Sequence, residues 1–174
     1  MAKDKPGSKR RSGCPLNASV EVLGDRWSLL IIRDMMLRGF RSYKEFLESY
    51  ERLATNILAD RLRRLEFHDI IRAEQDPLDG RRLNYALTEK GIDLAPVLTE
   101  MVLWAGAHER TENQELIQRM RKDKQKFLEE IREKWDQQRE SSRTVTGSGT
   151  RDVTGSATER HTQRAAQRAT KPQR

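Results

Sequence analysis

Cysteine, long apolar runs and clustered metal ligands are scarce in this sequence, and each scarcity excludes something. A single cysteine among 174 residues, Cys14, rules out an intrachain disulfide and a cysteine-based zinc finger. The three histidines, His68, His108 and His161, are scattered without metal-ligand spacing, so neither a metal nor any other cofactor is expected. No apolar stretch approaches the roughly 18 residues that suggest a membrane span, and no secretory signal is recognisable. The expectation is a cytoplasmic protein with no membrane partner. No nucleophile–base pair and no phosphate-binding loop is apparent, so no enzymatic activity is expected.

What the chain does have is positive charge, a formal net of +7, but it is unevenly placed. Residues 1–13 hold five basic and one acidic side chain, and residues 141–174 hold seven basic and two acidic ones. The stretch 14–140 is therefore left with a net −2. The high isoelectric point belongs to the ends, and any affinity for a polyanion must come from local clustering in the middle. Both ends are rich in Lys, Arg, Gly, Ser or Thr and read as disordered, a basic arm over 1–13 and a basic tail over 141–174. Within the tail Val145-Thr146-Gly147-Ser148 recurs as Val153-Thr154-Gly155-Ser156, a local duplication. Lys9-Arg10-Arg11 is either an arm entering a nucleic-acid groove or a solvated charge run.

Between the ends the pattern is helical, with one interruption. Pro15 suits a first helical position, and Leu16, Val20 and Leu23 mark one face of a helix closed by Gly24. Asp25 can cap a second helix, whose run Trp27–Ile32 is apolar nearly all round and should be the buried centre; Gly39 stops it. Ser42 and Glu45 fit a capping box, with Tyr43, Phe46, Leu47 and Tyr50 facing inward on a third helix. Thr55 is placed to cap a fourth. Segments 70–75 and 82–87 read as strands, with Leu83, Tyr85 and Leu87 inward, joined by the turn chemistry of Asp76-Pro77-Leu78-Asp79-Gly80. Thr88 caps a further helix that Gly91 and Pro96 delay or bend, with Leu94, Val97, Leu98, Met101, Trp104 and Ala105 in helical register. A last helix is expected over about 112–139, with Ile117, Met120, Phe127, Ile131 and Trp135 on one side.

Residues 55–66 carry the functional signal. Leu58, Leu62 and Leu65 form an apolar stripe, and Thr55, Asn56, Ala59, Asp60 and Arg63 point the other way. That outer face is small and polar, then cationic, which suits a helix laid in a DNA major groove. An ordinary amphipathic core helix is the plainer reading, and the basic hairpin that follows favours the first. Asn56 can make bidentate contacts to adenine and Arg63 to guanine. Asp60 either accepts from a cytosine amine or pairs with Arg63 or Arg64. Arg61 lies near the buried edge, where it braces the fold, touches phosphate or reads a base. Arg81 and Arg82 at the hairpin tip can reach phosphate or the minor groove, with Asp79 placed to pair with one of them, or they simply solubilise a turn. Cys14 is either a small buried residue or a thiol activated by the helix N-terminus that follows it.

These residues resemble the HxlR-type transcription regulators, a branch of the MarR-like winged helix-turn-helix proteins. The matching pieces are Cys14-Pro15, Gly24-Asp25-Arg26-Trp27, residues 29–34 and 54–66, Tyr85-Ala86-Leu87-Thr88-Glu89-Lys90-Gly91, and Pro96-Val97-Leu98 followed by Trp104. They occur in family order and cover residues 14–108. The wing departs from the family by reading Asp79-Gly80-Arg81-Arg82, and the helix beyond Glu112 and the tail have no family counterpart. The resemblance implies a mainly helical fold with a small β-hairpin wing over 14–110; the apolar stripe beyond it, and not the resemblance, points to an amphipathic dimerisation helix over 111–140. The resemblance also implies a homodimer on pseudo-palindromic double-stranded DNA, acting as a repressor and gated in some members by a small-molecule or oxidant effector, with Cys14 as the candidate redox sensor. The expected DNA-contacting residues are Ser42, Thr55, Asn56, Ala59, Asp60, Arg63, Arg81 and Arg82. The first helix and the stripes over 94–105 and 117–135 are expected to pack across the two-fold axis. The other reading kept open is a winged-helix module that binds protein and no specific DNA.

Overall fold

A computed structural model describes residues 12–76 and 79–147, with side chains as far as residue 141. The chain divides into two units, 1–137 and 138–174. In the second, the described residues 138–147 are helical, and their described side chains are polar. Both the arm up to residue 11 and the tail from 148 onward lie outside the described residues, as do Pro77 and Leu78.

The first unit is built around α1 (Pro15–Leu23) and α2 (Arg26–Arg33), the second of which continues as a π-helical turn over Asp34–Arg38. Asp25 caps α2 as its sequence suggests: its carboxylate accepts from the Ser28 amide at 2.9 Å and from the Ser28 hydroxyl at 2.6 Å. Ser28, Ile31, Ile32, Asp34 and Met35 are buried. Asp34 is a buried charge, and it is fully engaged. Arg33 donates to it twice, at 2.9 and 2.8 Å, and the Ser49 hydroxyl donates at 2.9 Å. Gly39 closes the π turn with φ of 72°, a left-handed conformation open to glycine at little cost.

α3 (Tyr43–Leu47) opens with the expected capping box, Ser42 with Glu45. It is only five residues long, so Tyr50 falls beyond it and is 83% exposed rather than inward-facing. α4 (Thr55–Phe67) buries Leu58, Leu62 and Leu65. Its N-cap is Ala54, not Thr55: the Leu58 amide bonds to the Ala54 carbonyl, and no side chain caps the helix. Thr55 is instead its first residue.

β1 (Ile71–Gln75) and β2 (Leu83–Leu87) form an antiparallel hairpin with Ile71 opposite Leu87 and Gln75 opposite Leu83. Leu87 is buried at the base, whereas Leu83 is 46% exposed near the tip, where the hairpin has left the core. The hairpin is hooked to the segment before α3. The Tyr85 amide donates to the Arg41 carbonyl at 2.6 Å, and Ser42 bridges to Asn84.

The single helix expected after Thr88 is two: α5 (Glu89–Ile92) and α6 (Ala95–His108). Thr88 caps α5 through the Gly91 amide, and Pro96 sits in the first turn of α6, where its missing N–H costs nothing. The last expected helix is likewise two, α7 (Gln114–Lys122) and α8 (Lys124–Gly147). Asp123 leaves the helical region at φ −154°, ψ 84°, and its carboxylate accepts from the Lys126 amide. The break folds α8 back. Ile117, Met120, Phe127, Ile131 and Trp135 are then buried within one chain, where a dimer seam was expected. The Trp135 indole donates to the Leu87 carbonyl at 3.0 Å, and Arg132 pairs with Glu89 and Asp93.

At Gly91, just after β2, the fold leaves no room for a side chain. A Cβ there would lie 2.1 Å from the Ile70 carbonyl oxygen, a backbone atom that cannot swing away. Gly91→Ala should therefore destabilise the fold by about 1–3 kcal/mol through overpacking. Gly80→Ala, which meets nothing within 4 Å, should change stability by less than about 0.5 kcal/mol. Thermal unfolding of the two variants checks this; equal melting temperatures would show that β1 and α5 can separate freely.

Candidate nucleic-acid interface

α4 presents the outward face that its periodicity suggests. Thr55, Asn56, Asp60 and Arg63 are exposed and Ala59 is partly so. The rest of the helix is fastened from three directions. Arg61 pairs with Asp25, the cap of α2, at 3.0 Å. Arg64 donates to the Glu21 carbonyl in α1. The Tyr43 hydroxyl donates to the Thr55 carbonyl at 2.7 Å, tying the start of α4 to α3. Arg61 is therefore engaged within the fold, as the first of the three roles open to it requires.

Asp60 pairs at 3.1 Å with its neighbour Arg61, and not with Arg63 or Arg64. A partly buried arginine adjacent in sequence is the closer partner. That leaves Arg63 without an ion pair among the described residues; its Nε donates at 3.2 Å to the Ala59 carbonyl one turn back. The outer face therefore offers a cationic group and a carboxamide, Asn56.

The wing tip is a set of carboxylate-centred turns. Asp76 accepts from the Asp79 amide at 3.1 Å and from the Asn84 carboxamide at 2.9 Å. Asp79 accepts from the Arg81 amide at 3.2 Å and pairs with Arg82 at 3.2 Å, so the expected acidic partner of the tip goes to Arg82. Arg81 is exposed, and its side chain forms no ion pair among the described residues. Ser42 stands between wing and helix, bridged to Asn84, with its hydroxyl donating to Glu45 at 2.8 Å. Partial burial raises the Glu45 pKa, but hydrogen bonds from the Arg41 and Ser42 amides and the Ser42 hydroxyl outweigh it, so the carboxyl titrates below its ordinary value. The capping box stays charged and closed at neutral pH.

Tyr43 was readable only as an inward-facing residue, and its hydroxyl contact was missed. A tyrosine at the edge of a buried face, where the ring packs and the hydroxyl needs a partner, is the signal for it. Cys14 is exposed at the N-cap of α1, its side chain making no capping hydrogen bond. The basic run Lys9-Arg10-Arg11 lies outside the described residues. No cluster of metal-ligating side chains and no helix long and apolar enough to cross a membrane occurs among the described residues.

Two helices joined by the short segment 48–54, the second with a free polar face, followed by a hairpin wing, define a winged helix-turn-helix protein of the transcription-regulator class. Residues 22–115 match the HxlR-like helix-turn-helix family, and the chain belongs to it. The HTH-type transcriptional regulator YodB of Bacillus subtilis is 36% identical over 93 residues, which are 53% of this chain and 82% of YodB. An HTH-type transcriptional regulator of Synechocystis, sll1512, is 35% identical over 88 residues; these are 51% of this chain and 64% of that relative, less than two thirds of its length. Among solved structures, the candidate transcription factor PA1607 superposes with a TM-score of 0.54 at 36% identity, covering 60% of this chain and 71% of PA1607.

Proposed function

We propose that the chain is a sequence-specific repressor that binds a pseudo-palindromic operator as a homodimer. The observation that carries this reading is the division of α4. Its inner stripe and the anchors Arg61, Arg64 and the Thr55 carbonyl hold it in place, while Asn56 and Arg63 stand outward. A helix so fixed can lie in a major groove without losing its own packing. Asn56 is assigned to an adenine edge and Arg63 to a guanine edge, with Thr55 and Ala59 small enough for close approach to thymine methyls. Asp60, held by Arg61, tempers the charge beside them. Ser42, Arg81 and Arg82 are assigned to the sugar–phosphate backbone, which positions the protein without reading sequence. A dimer seated on promoter DNA excludes other proteins from it, and repression follows.

The partner surface for a second copy is apolar and uncovered. Val97, Met101 and Trp104 recur along one side of α6, and Leu16 and Val20 along α1; all five are exposed, Leu16 at 71% and Trp104 at 60%. Apolar residues gathered in such rows point to association. Two half-sites are also what useful specificity demands, spaced by about 34 Å or one DNA turn.

Selecting bound fragments from genomic DNA should return one recurring inverted repeat. On that operator Arg63→Ala should cost about 1–3 kcal/mol and relax preference at one base position. Arg81→Ala or Arg82→Ala should weaken binding to all sequences and reduce the salt dependence by about one charge. Fragments of no common sequence, bound weakly and released by modest salt, would instead favour the protein-interaction module.

Sedimentation of the full chain at micromolar concentration should give a dimer, and Trp104→Glu should give a monomer. A wild-type monomer would remove the two-fold arrangement from the proposal.

The thiol of Cys14 is assigned an effector role on its exposure at the start of α1, beside the proposed dimer face. Iodoacetamide should label it in the folded protein, and a mild peroxide should weaken operator binding by the wild type but not by Cys14→Ser. Equal responses of the two proteins would take Cys14 out of the mechanism.

A further inference from the structure

A cavity of about 230 Å³ lies between α2, α6 and the α7–α8 pair. Leu30 and Met36 form its α2 side, Leu98 and Val102 its α6 side, and Met120 and Phe127 its third wall. Leu37 and Met101, both exposed, also line it, so it opens to solvent on their side. The third wall lies beyond residues 22–115, the part matched to the family. The cavity is therefore completed by a part of this chain outside the shared domain.

The chemistry of the lining selects its occupant. Two polar side chains reach it, and both are already committed. The Thr99 hydroxyl donates to the Ala95 carbonyl at 2.8 Å. The Arg33 guanidinium donates to Asp34 and, at 3.2 Å, to Glu51. Those arginine bonds hold the Glu51 carboxyl below its usual pKa, with burial opposing them, so the pair is charged and closed at neutral pH. The charge of Arg33 is already balanced by Asp34 and Glu51, and no carboxylate lines the cavity to receive a cation. An unpaired charge there would carry its desolvation cost without repayment. Apolar cavities of about 150 Å³ stay dry and accept benzene. At the same filling, 230 Å³ suits a fused two-ring arene of about ten carbon atoms.

We propose that this cavity is a binding site for a small neutral arene, and that its occupant acts on the DNA-binding surface through α2. The opposite face of α2 carries Ile31 and Ile32, which share one buried cluster with Leu58, Leu62 and Leu65 of α4. The α2 cap, Asp25, also holds Arg61 of α4. Wedging α2 from the cavity side therefore loads the recognition helix. The regulatory consequence rests on the DNA-binding reading above; the binding site itself does not.

The methionines provide the test. Three of the five in the chain, Met36, Met101 and Met120, line the cavity, whereas Met35 does not. The full chain, labelled with ¹³C at the methionine methyls, is titrated with naphthalene in the absence of DNA. The expected result is a saturable shift of Met36, Met101 and Met120 by ring currents, at one naphthalene per chain. Val102→Phe and Ala105→Leu, which fill the cavity from α6, should each weaken binding at least tenfold. Three results would overturn the proposal: no saturable shift of Met36 and Met120 up to the solubility limit of naphthalene, shifts that persist unchanged in both filled variants, or Met36 and Met120 signals that move on dilution of the free protein and ignore naphthalene. The last would assign the cavity to a second copy of the chain. Should a filled variant fail to fold, the wild-type titration still decides. Because no DNA is present, failure of the operator reading would leave these shifts intact.

Discussion

One carboxylate joins the caps and contacts of α2 and α4. Asp25 ends the turn after α1, caps α2 through the Ser28 amide and hydroxyl, and receives Arg61 of α4 on the same oxygen that accepts from the amide. Helix packing through Ile31, Ile32, Leu58 and Leu62 brings α2 and α4 together but leaves rotation and sliding soft, because apolar contacts have no direction. The ion pair of Arg61 with Asp25 adds one fixed point between them. Arg64 on the Glu21 carbonyl and Tyr43 on the Thr55 carbonyl fix two further points. With its azimuth set in this way, α4 turns Asn56 and Arg63 outward; without it the same helix would be one more core element.

Much of this was legible in the sequence because it depends on short-range chemistry. The Asp25 cap, the Ser42–Glu45 box, the Gly39 stop and the Leu58–Leu62–Leu65 stripe each need only a few neighbouring residues to be read. The failures are of a different kind. Ala54, with no side chain able to cap, takes the N-cap position in place of Thr55, and local capping preference does not show this. Tyr50 is exposed because α3 stops after five residues, and helical periodicity alone does not say where a short helix ends. Asp60 chose Arg61 over Arg63 and Arg64, a competition that spacing along a helix does not settle.

The Ile117–Trp135 stripe is the most instructive case. An amphipathic pattern shows that a face must be covered, not by what. A two-fold partner was expected to cover it; a single non-helical residue, Asp123, lets the chain cover it with its own core. The apolar residues left uncovered on α1 and α6 belong to a different face. Of the candidate site residues, helix and wing positions were legible as outward-facing, while the pairing that separates Arg82 from Arg81 became visible only with the Asp79 turn in place.

The position of α7 and α8 in the chain has a consequence in time. They follow the winged domain, and the Trp135 indole reaches back 48 residues to the Leu87 carbonyl. During synthesis at about 5–20 residues per second, the domain up to residue 115 is complete on the order of a few seconds before Trp135 exists. Through that interval the apolar walls that α8 will cover lack their partner in the chain. The nascent protein therefore passes through a form resembling the shorter domain, and its final helix closes a surface that was briefly available.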